Sequence, residues 1–164
     1  MKTLLLIRHA KSSWNDASVS DFDRPLNDRG KKNAPEMAKR LAARKLVIDD
    51  FLSSPALRAK KTAELFAKEL DISKKHLHFV SELYEASPET FGDTIAGAPA
   101  KAGTIALFSH NPGITAYADS LTNTRIDNMP TCAIFAVQAD VNDWKEFANA
   151  PKEFLFFDYP KKEE

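Results

Sequence analysis

The sequence predicts an α/β fold, a three-layer sandwich in which a mostly parallel central sheet lies between helices. Three observations lead there. Short, continuously apolar runs such as Leu4 to Ile7 and Thr104 to Phe108 have the composition of strands buried on both faces. Other segments carry apolar residues at helical spacing. The two kinds alternate from end to end, the pattern of strand–helix–strand units.

The elements follow in order. Leu4 to Ile7 read as a buried first strand, and the polar stretch 9–25, with Asn15, Asp16 and Pro25, as a long loop. Asn27 is an N-cap for a helix to about Arg44, with Ala34, Met37, Ala38 and Leu41 at helical spacing and Pro35 inside it as a residue that weakens or kinks the helix. Residues 47–53 suggest a short strand. Ser54-Pro55 opens a second helix, on which Ala63, Phe66, Ala67 and Leu70 follow the i, i+3, i+4, i+7 pattern. His78 to Val80 read as another strand. Ser87-Pro88 has the N-cap–proline order that starts a helix, here to about Gly97. Thr104 to Phe108 are a strand, and Asn111-Pro112-Gly113 leads into a helix through Leu121. Late strands are expected at 132–138 and 153–157, and Lys161 to Glu164 as a solvated tail.

The 164 residues suit a single domain, 1–164, with 43% hydrophobic and 28% charged residues enough to build one core. Lys and Arg number 23, and so do Asp and Glu. That balance argues against a nucleic-acid binder, which needs a basic surface to displace phosphate counterions. The first apolar run is interrupted by Arg8 and His9, too early for a secretion signal, and no other run is long enough to cross a bilayer. A single cysteine, Cys132, excludes an internal disulfide or a four-cysteine zinc site and reads as core. These features point to the cytoplasm. No G-x-x-x-x-G-K-[ST] loop is present, so a nucleotide-driven kinase has no support.

Ligands of parallel α/β sheets bind beyond the carboxyl ends of the strands. Two such ends carry histidine here, His9 after Arg8, and His110 after Ser109. A third ends in Ser53-Ser54-Pro55, shortly before Arg58. Two histidines and two arginines on one edge suit a phosphoryl group, because an arginine fork binds phosphate oxygens in pairs and a neutral imidazole can attack phosphorus. Elsewhere, His76 and His78 share a candidate strand face without a third metal ligand. Asp16, Asp21 and Asp23 read as a polar rim rather than a Mg²⁺ site, and Trp14 as a residue of the pocket entrance or of the loop.

Arg8-His9-Ala10-Lys11-Ser12-Ser13-Trp14-Asn15 resembles the signature of the histidine phosphatase superfamily, the phosphoglycerate mutase-like group. Pro25-Leu26 with Gly30, then Ser53-Ser54-Pro55 with Arg58, Ala59, Thr62 and Ala63, and finally Ser109-His110-Asn111-Pro112 match its later blocks in order, over residues 4–121. The Asp21-x-Asp23-Arg24-Pro25-Leu26 stretch and the last block look most like the SixA-type phosphohistidine phosphatases. The resemblance implies that His9 is the nucleophile and becomes phosphohistidine. It implies that Arg8, Arg58 and His110 hold the phosphoryl oxygens, with Asn15 and the backbone N–H of Asn111 as further contacts. Leu83-Tyr84-Glu85 matches the context in which relatives carry a leaving-group acid, making Glu85 the candidate and Glu82 its competitor. Ala10 replaces the family's glycine, and Asn27 stands where Thr or Ser is usual.

The resemblance thus implies a metal-independent phosphatase, without cofactor, acting on a phosphohistidine-bearing protein or on a small phosphorylated substrate. The alternatives are a phosphatase of small phosphate esters, a phosphomutase, or a non-catalytic phosphoprotein binder. Nothing in the sequence sets the oligomeric state.

Overall fold

In the computed structural model, which describes residues 1–161, the chain forms six strands and four α-helices, alternating as far as the fifth strand. They are β1 (Lys2–Arg8), α1 (Asp28–Ala43), β2 (Asp50–Ser53), α2 (Leu57–Glu69), β3 (Leu77–Phe79), α3 (Pro88–Ala96), β4 (Thr104–Ser109), α4 (Gly113–Leu121), β5 (Ile134–Ala139) and β6 (Lys152–Asp158). The sheet has the order β3-β2-β4-β1-β5-β6. The pairings β2 with β3, β2 with β4 and β1 with β4 are parallel, while β5 runs antiparallel to both β1 and β6.

The continuous apolar character of β1 follows from burial on both faces. Leu4 and Leu6 join Ile105, Leu107 and Phe135 in one core, closed by Phe91 and Ile95 of α3 and by Ile114 and Tyr117 of α4. Leu5 and Ile7 join Phe51, Ala106 and Phe108 in the other, closed by Met37 and Leu41 of α1 and by Ala63 and Phe66 of α2. Neighbouring strands β1 and β4 therefore hand the chain to helices on opposite faces of the sheet. A crevice opens where adjacent strands diverge in this way, at their carboxyl ends.

The expected elements are present with shifted ends. Asn27 caps α1, its side chain accepting from the Gly30 N–H, and Pro35 does not end that helix. Ser87 caps α3 by accepting from the Thr90 N–H. β2 begins only at Asp50, later than expected; Asp49 still donates its N–H to the Thr104 carbonyl, and its Oδ2 accepts from the N–H groups of Gly103 and Thr104 at the start of β4. α2 begins at Leu57 rather than at Pro55 and has no side-chain cap. β5 begins two residues late because Cys132 has φ 63°, and its N–H points back at the carbonyls of Arg8 and His9. The expected tail lies outside the described residues apart from Lys161, which is exposed.

Candidate active site

Register brings the site together. Arg8 pairs with Ser109 across β1 and β4, and Ser53 with Phe108 across β2 and β4, so the residues just beyond these strands emerge side by side. They open into a cleft of about 690 Å³ lined by Arg8, His9, Arg58, His110, Glu85 and Asn111, among others. Four basic side chains, Arg8, Lys11, Arg24 and Arg58, line it against two acids, Asp21 and Glu85. In a chain of zero net charge, this concentration of positive charge favours an anionic ligand.

His9 is buried, and its Nδ1 lies 2.7 Å from the carbonyl oxygen of Ala10. A carbonyl only accepts, so Nδ1 carries the proton and Nε2 keeps its lone pair. Burial holds the imidazole pKa down at about 3, helped by His110, Arg58 and Arg8 and opposed by the Ala10 hydrogen bond. His9 is therefore neutral at pH 7, the state in which an imidazole has a free lone pair to offer. The His110 ring lies 5.1 Å away between centroids. It shares a 2.7 Å hydrogen bond between Nε2 and Ser54 Oγ. Burial, and then Arg58, push its pKa down to about 3 as well.

The two arginines are held alike. Arg8 donates from Nη1 to the Met129 carbonyl at 2.9 Å. Arg58 donates from Nη1 to the Asp21 carbonyl at 2.6 Å and from Nη2 to Asp21 Oδ2 at 3.1 Å. In each case the Nε–H remains. Among the described residues the buried side-chain nitrogens and oxygens without a hydrogen-bond partner are Arg8 Nε, Arg58 Nε and His110 Nδ1, and all three belong to the cleft. Buried polar atoms are normally satisfied. These three atoms, on three residues that line one cleft, give it hydrogen-bonding capacity that an anionic ligand can use.

Backbone contacts fix these side chains to one another. Thr62 Oγ1 accepts from the Ala10 N–H at 2.9 Å and donates to the Arg58 carbonyl at 2.7 Å, joining the loop after His9 to α2. Ser109 Oγ donates to the Leu83 carbonyl at 2.7 Å, which anchors the Tyr84-Glu85 segment beside His110. Two glycines permit close approaches. A Cβ on Gly30 would stand 2.2 Å from the Lys11 carbonyl oxygen, and one on Gly113 would stand 2.0 Å from that of Ala86. Both residues let helix starts press directly against loops of the cleft.

The remaining expected residues divide. Glu85 lines the cleft and is exposed; Glu82 instead faces a separate groove with Leu52, His78 and Val80. Asn111 lines the cleft, but its side chain is turned to Asn128 Oδ1 and the Met129 carbonyl. Asn15 is exposed and is not among the cleft-lining residues. Trp14 lies at the entrance, 74% exposed, with the Arg24 guanidinium 3.4 Å from its ring centroid. His76 and His78 both lean on Asp50 Oδ1, at 3.4 and 3.0 Å, and among the described residues no group of three His, Cys, Asp or Glu side chains has metal-holding geometry.

Sequence reasoning missed one group. Asp21, read as rim, accepts from Arg58, from Arg24 at 3.2 Å and from the Tyr84 hydroxyl at 2.7 Å. The Tyr84 bond, with help from both arginines, draws the Asp21 pKa down to about 2. Tyr84 in turn packs edge-on against His110, 5.7 Å between centroids. The three-residue spacing of Asp21 and Arg24 was the visible signal; the ties to Arg58 and Tyr84 are made only by the fold.

Residues 4–91 match the family model of the histidine phosphatase superfamily, branch 1. A chloroplastic protein of Arabidopsis thaliana, named as uncharacterized, is 30% identical over 153 residues, covering 88% of this chain and 70% of that protein. The mitochondrial serine/threonine-protein phosphatase Pgam5 of Drosophila mojavensis is 33% identical over 85 residues, 52% of this chain but only 29% of that protein. Among solved structures, a candidate phosphohistidine phosphatase SixA from Agrobacterium tumefaciens is similar with a TM-score of 0.81 and 25% identity, over 97% of this chain and 98% of its own. The histidine phosphatase SixA complexed with tungstate shares the fold at the same TM-score with 23% identity, over 96% and 97% of the two chains. By the family match and by this fold, the chain belongs to the histidine phosphatase superfamily, branch 1.

Proposed function

We propose that the protein is a metal-independent phosphatase that removes phosphoryl groups from protein phosphohistidine through a covalent intermediate on His9. The observation that carries this reading is a neutral, buried His9 with a lone pair on Nε2, beside three buried nitrogens that lack partners. In the first step Nε2 attacks phosphorus, and the bond from phosphorus to the leaving group breaks. Arg8, Arg58 and His110 bind the phosphoryl oxygens and stabilise their charge in the transition state. Water then attacks phosphorus, the bond to His9 breaks, and inorganic phosphate leaves with the neutral imidazole restored.

The leaving group argues for phosphohistidine. A phosphoimidazole already protonated on its second nitrogen departs as neutral imidazole, so transfer from one imidazole to another needs no strong acid. The exposed setting of Glu85 suits that modest demand. The overall likeness to SixA-type proteins supports the same substrate.

A second reading, a phosphatase of small phosphate esters, is favoured by the presence of Glu85 on the cleft wall. An alkoxide leaving group needs a proton, and general-acid catalysis is worth roughly 10²–10⁴ in rate. Phosphate release from a phosphohistidine-bearing phosphotransfer domain and from p-nitrophenyl phosphate, with EDTA present, separates the two. Fast release from the protein substrate that survives Glu85→Gln supports the first reading. Preference for the ester, with strong loss in Glu85→Gln, replaces it with the second.

A further inference from the structure

The Arg58 guanidinium has two edges that can grip an anion. One is the end, formed by Nη1 and Nη2; the other is the side, formed by Nε and the second hydrogen of Nη2. Asp21 occupies the end, taking Nη1 with its backbone carbonyl and Nη2 with Oδ2. The side is left, and its Nε is among the buried atoms without a partner. Asp21 does not hold Arg58 alone. Its Oδ1 is fixed by Nε of Arg24, Arg24 Nη1 donates to Ser12 Oγ at 2.6 Å, and Oδ2 also receives the Tyr84 hydroxyl. Arg24 and Ser12 are buried, so the far end of this chain of contacts is rigid.

We infer that Asp21 is a positioning residue for catalysis: by filling the end of the Arg58 guanidinium it turns the Nε–Nη2 side toward the phosphoryl group. This rests on the phosphoryl-binding role of Arg58 in the reading above. It gives a carboxylate a productive place in a cleft built for anions, where its charge alone would only repel the ligand. A half-exposed carboxylate repels weakly because water screens it. Orienting a guanidinium for two parallel hydrogen bonds is the larger effect.

The test is calorimetric binding of tungstate, a phosphoryl mimic, to the full chain. The variants are Asp21→Asn, Arg58→Lys and the double variant. Asn cannot accept from Arg24 and Arg58 together, so Asp21→Asn is expected to weaken tungstate binding by about 10- to 100-fold. In the Arg58→Lys background, which has no side edge to orient, the same change is expected to shift binding by less than about 3-fold, because coupled residues are not additive. Tighter tungstate binding in Asp21→Asn means that the carboxylate only repels, and overturns the inference. So does an equal loss in both backgrounds. Tyr84→Phe removes one bond to Oδ2 and keeps the question open to decision should Asp21→Asn not fold; it is expected to weaken binding about 3-fold, and no change counts against the inference. Binding is read without turnover, so a wild type that binds tungstate but leaves phosphohistidine intact refutes the substrate reading alone.

Discussion

The imidazoles of His9 and His110 lie 5.1 Å apart between centroids, tilted by 51°, because the two strands that immediately precede them pair in parallel and in register. Each strand contributes one ring and then departs to an opposite face of the sheet. Each ring is also held near a pKa of about 3, chiefly by burial. The cleft is therefore neutral in its histidines and positive in its arginines at physiological pH.

This has a consequence for stability. A histidine in the unfolded chain takes up a proton near pH 6.5, whereas His9 and His110 resist doing so until about pH 3. Between those values the unfolded state binds more protons, so stability is full above about pH 6.5 and declines as pH falls toward 3. Each histidine contributes at most about 1.4 kcal/mol per pH unit in that window. Urea midpoints measured from pH 7.5 to 4 should fall in the wild type and fall less steeply in His9→Asn. Equal slopes in the two proteins contradict the assigned shift.

Arg8→Ala and Arg58→Ala each remove a guanidinium whose Nε is unpartnered in the cleft. Loss of one preorganised donor to the transition-state oxygens typically costs about 10²–10³ in kcat. Lysine should restore little of this, since it lacks the planar fork. Steady-state kinetics on p-nitrophenyl phosphate measures both, and retention of activity within about 3-fold of wild type in either alanine variant removes that arginine from the phosphoryl site.

Gly30→Ala places a methyl group 2.2 Å from the Lys11 carbonyl oxygen, a backbone atom that cannot swing aside. Overpacking of this kind costs about 1–3 kcal/mol or more. Thermal melts should show a loss of several degrees, and activity should fall too, because Lys11 follows Ala10 and His9 directly. A neutral melting temperature means that α1 and this loop are less tightly apposed than described.

Thr62→Val keeps the shape of a buried side chain and removes its hydroxyl. The Ala10 N–H then lies buried without its acceptor, at a cost of about 1–3 kcal/mol. Because Thr62 Oγ1 also donates to the Arg58 carbonyl, kcat is expected to drop more than KM rises. Unchanged stability together with unchanged kinetics shows that this bridge does not hold the two halves of the site.

Much of this architecture was legible from local patterns. Unbroken apolar runs told of strands with two buried faces, and Leu4 to Ile7 indeed contribute alternately to two cores. Asn27 and Ser87 announced their helices because a cap is a bond within one turn. The convergence of Arg8, His9, Arg58 and His110 was also readable, since strand ends in parallel sheets share an edge. What escaped depends on distant partners. The Asp49 carboxylate ties down the amides of Gly103 and Thr104, and Asp21 is recruited by Arg58 and Tyr84 across the cleft. A carboxylate in a polar loop gives no sign of which arginine the fold will bring to it.

In the proposed reaction His9 carries the phosphoryl group between substrate and water. The direct measurement is a single-turnover reaction with a phosphohistidine-bearing phosphotransfer domain, quenched in base, where phosphohistidine survives, and analysed by peptide mass spectrometry. A transient phosphate on His9, absent in His9→Ala, whose phosphate release also ceases, is the expected result. Phosphate release that persists in His9→Ala, or turnover with no phosphorylated His9 at any time point, contradicts it.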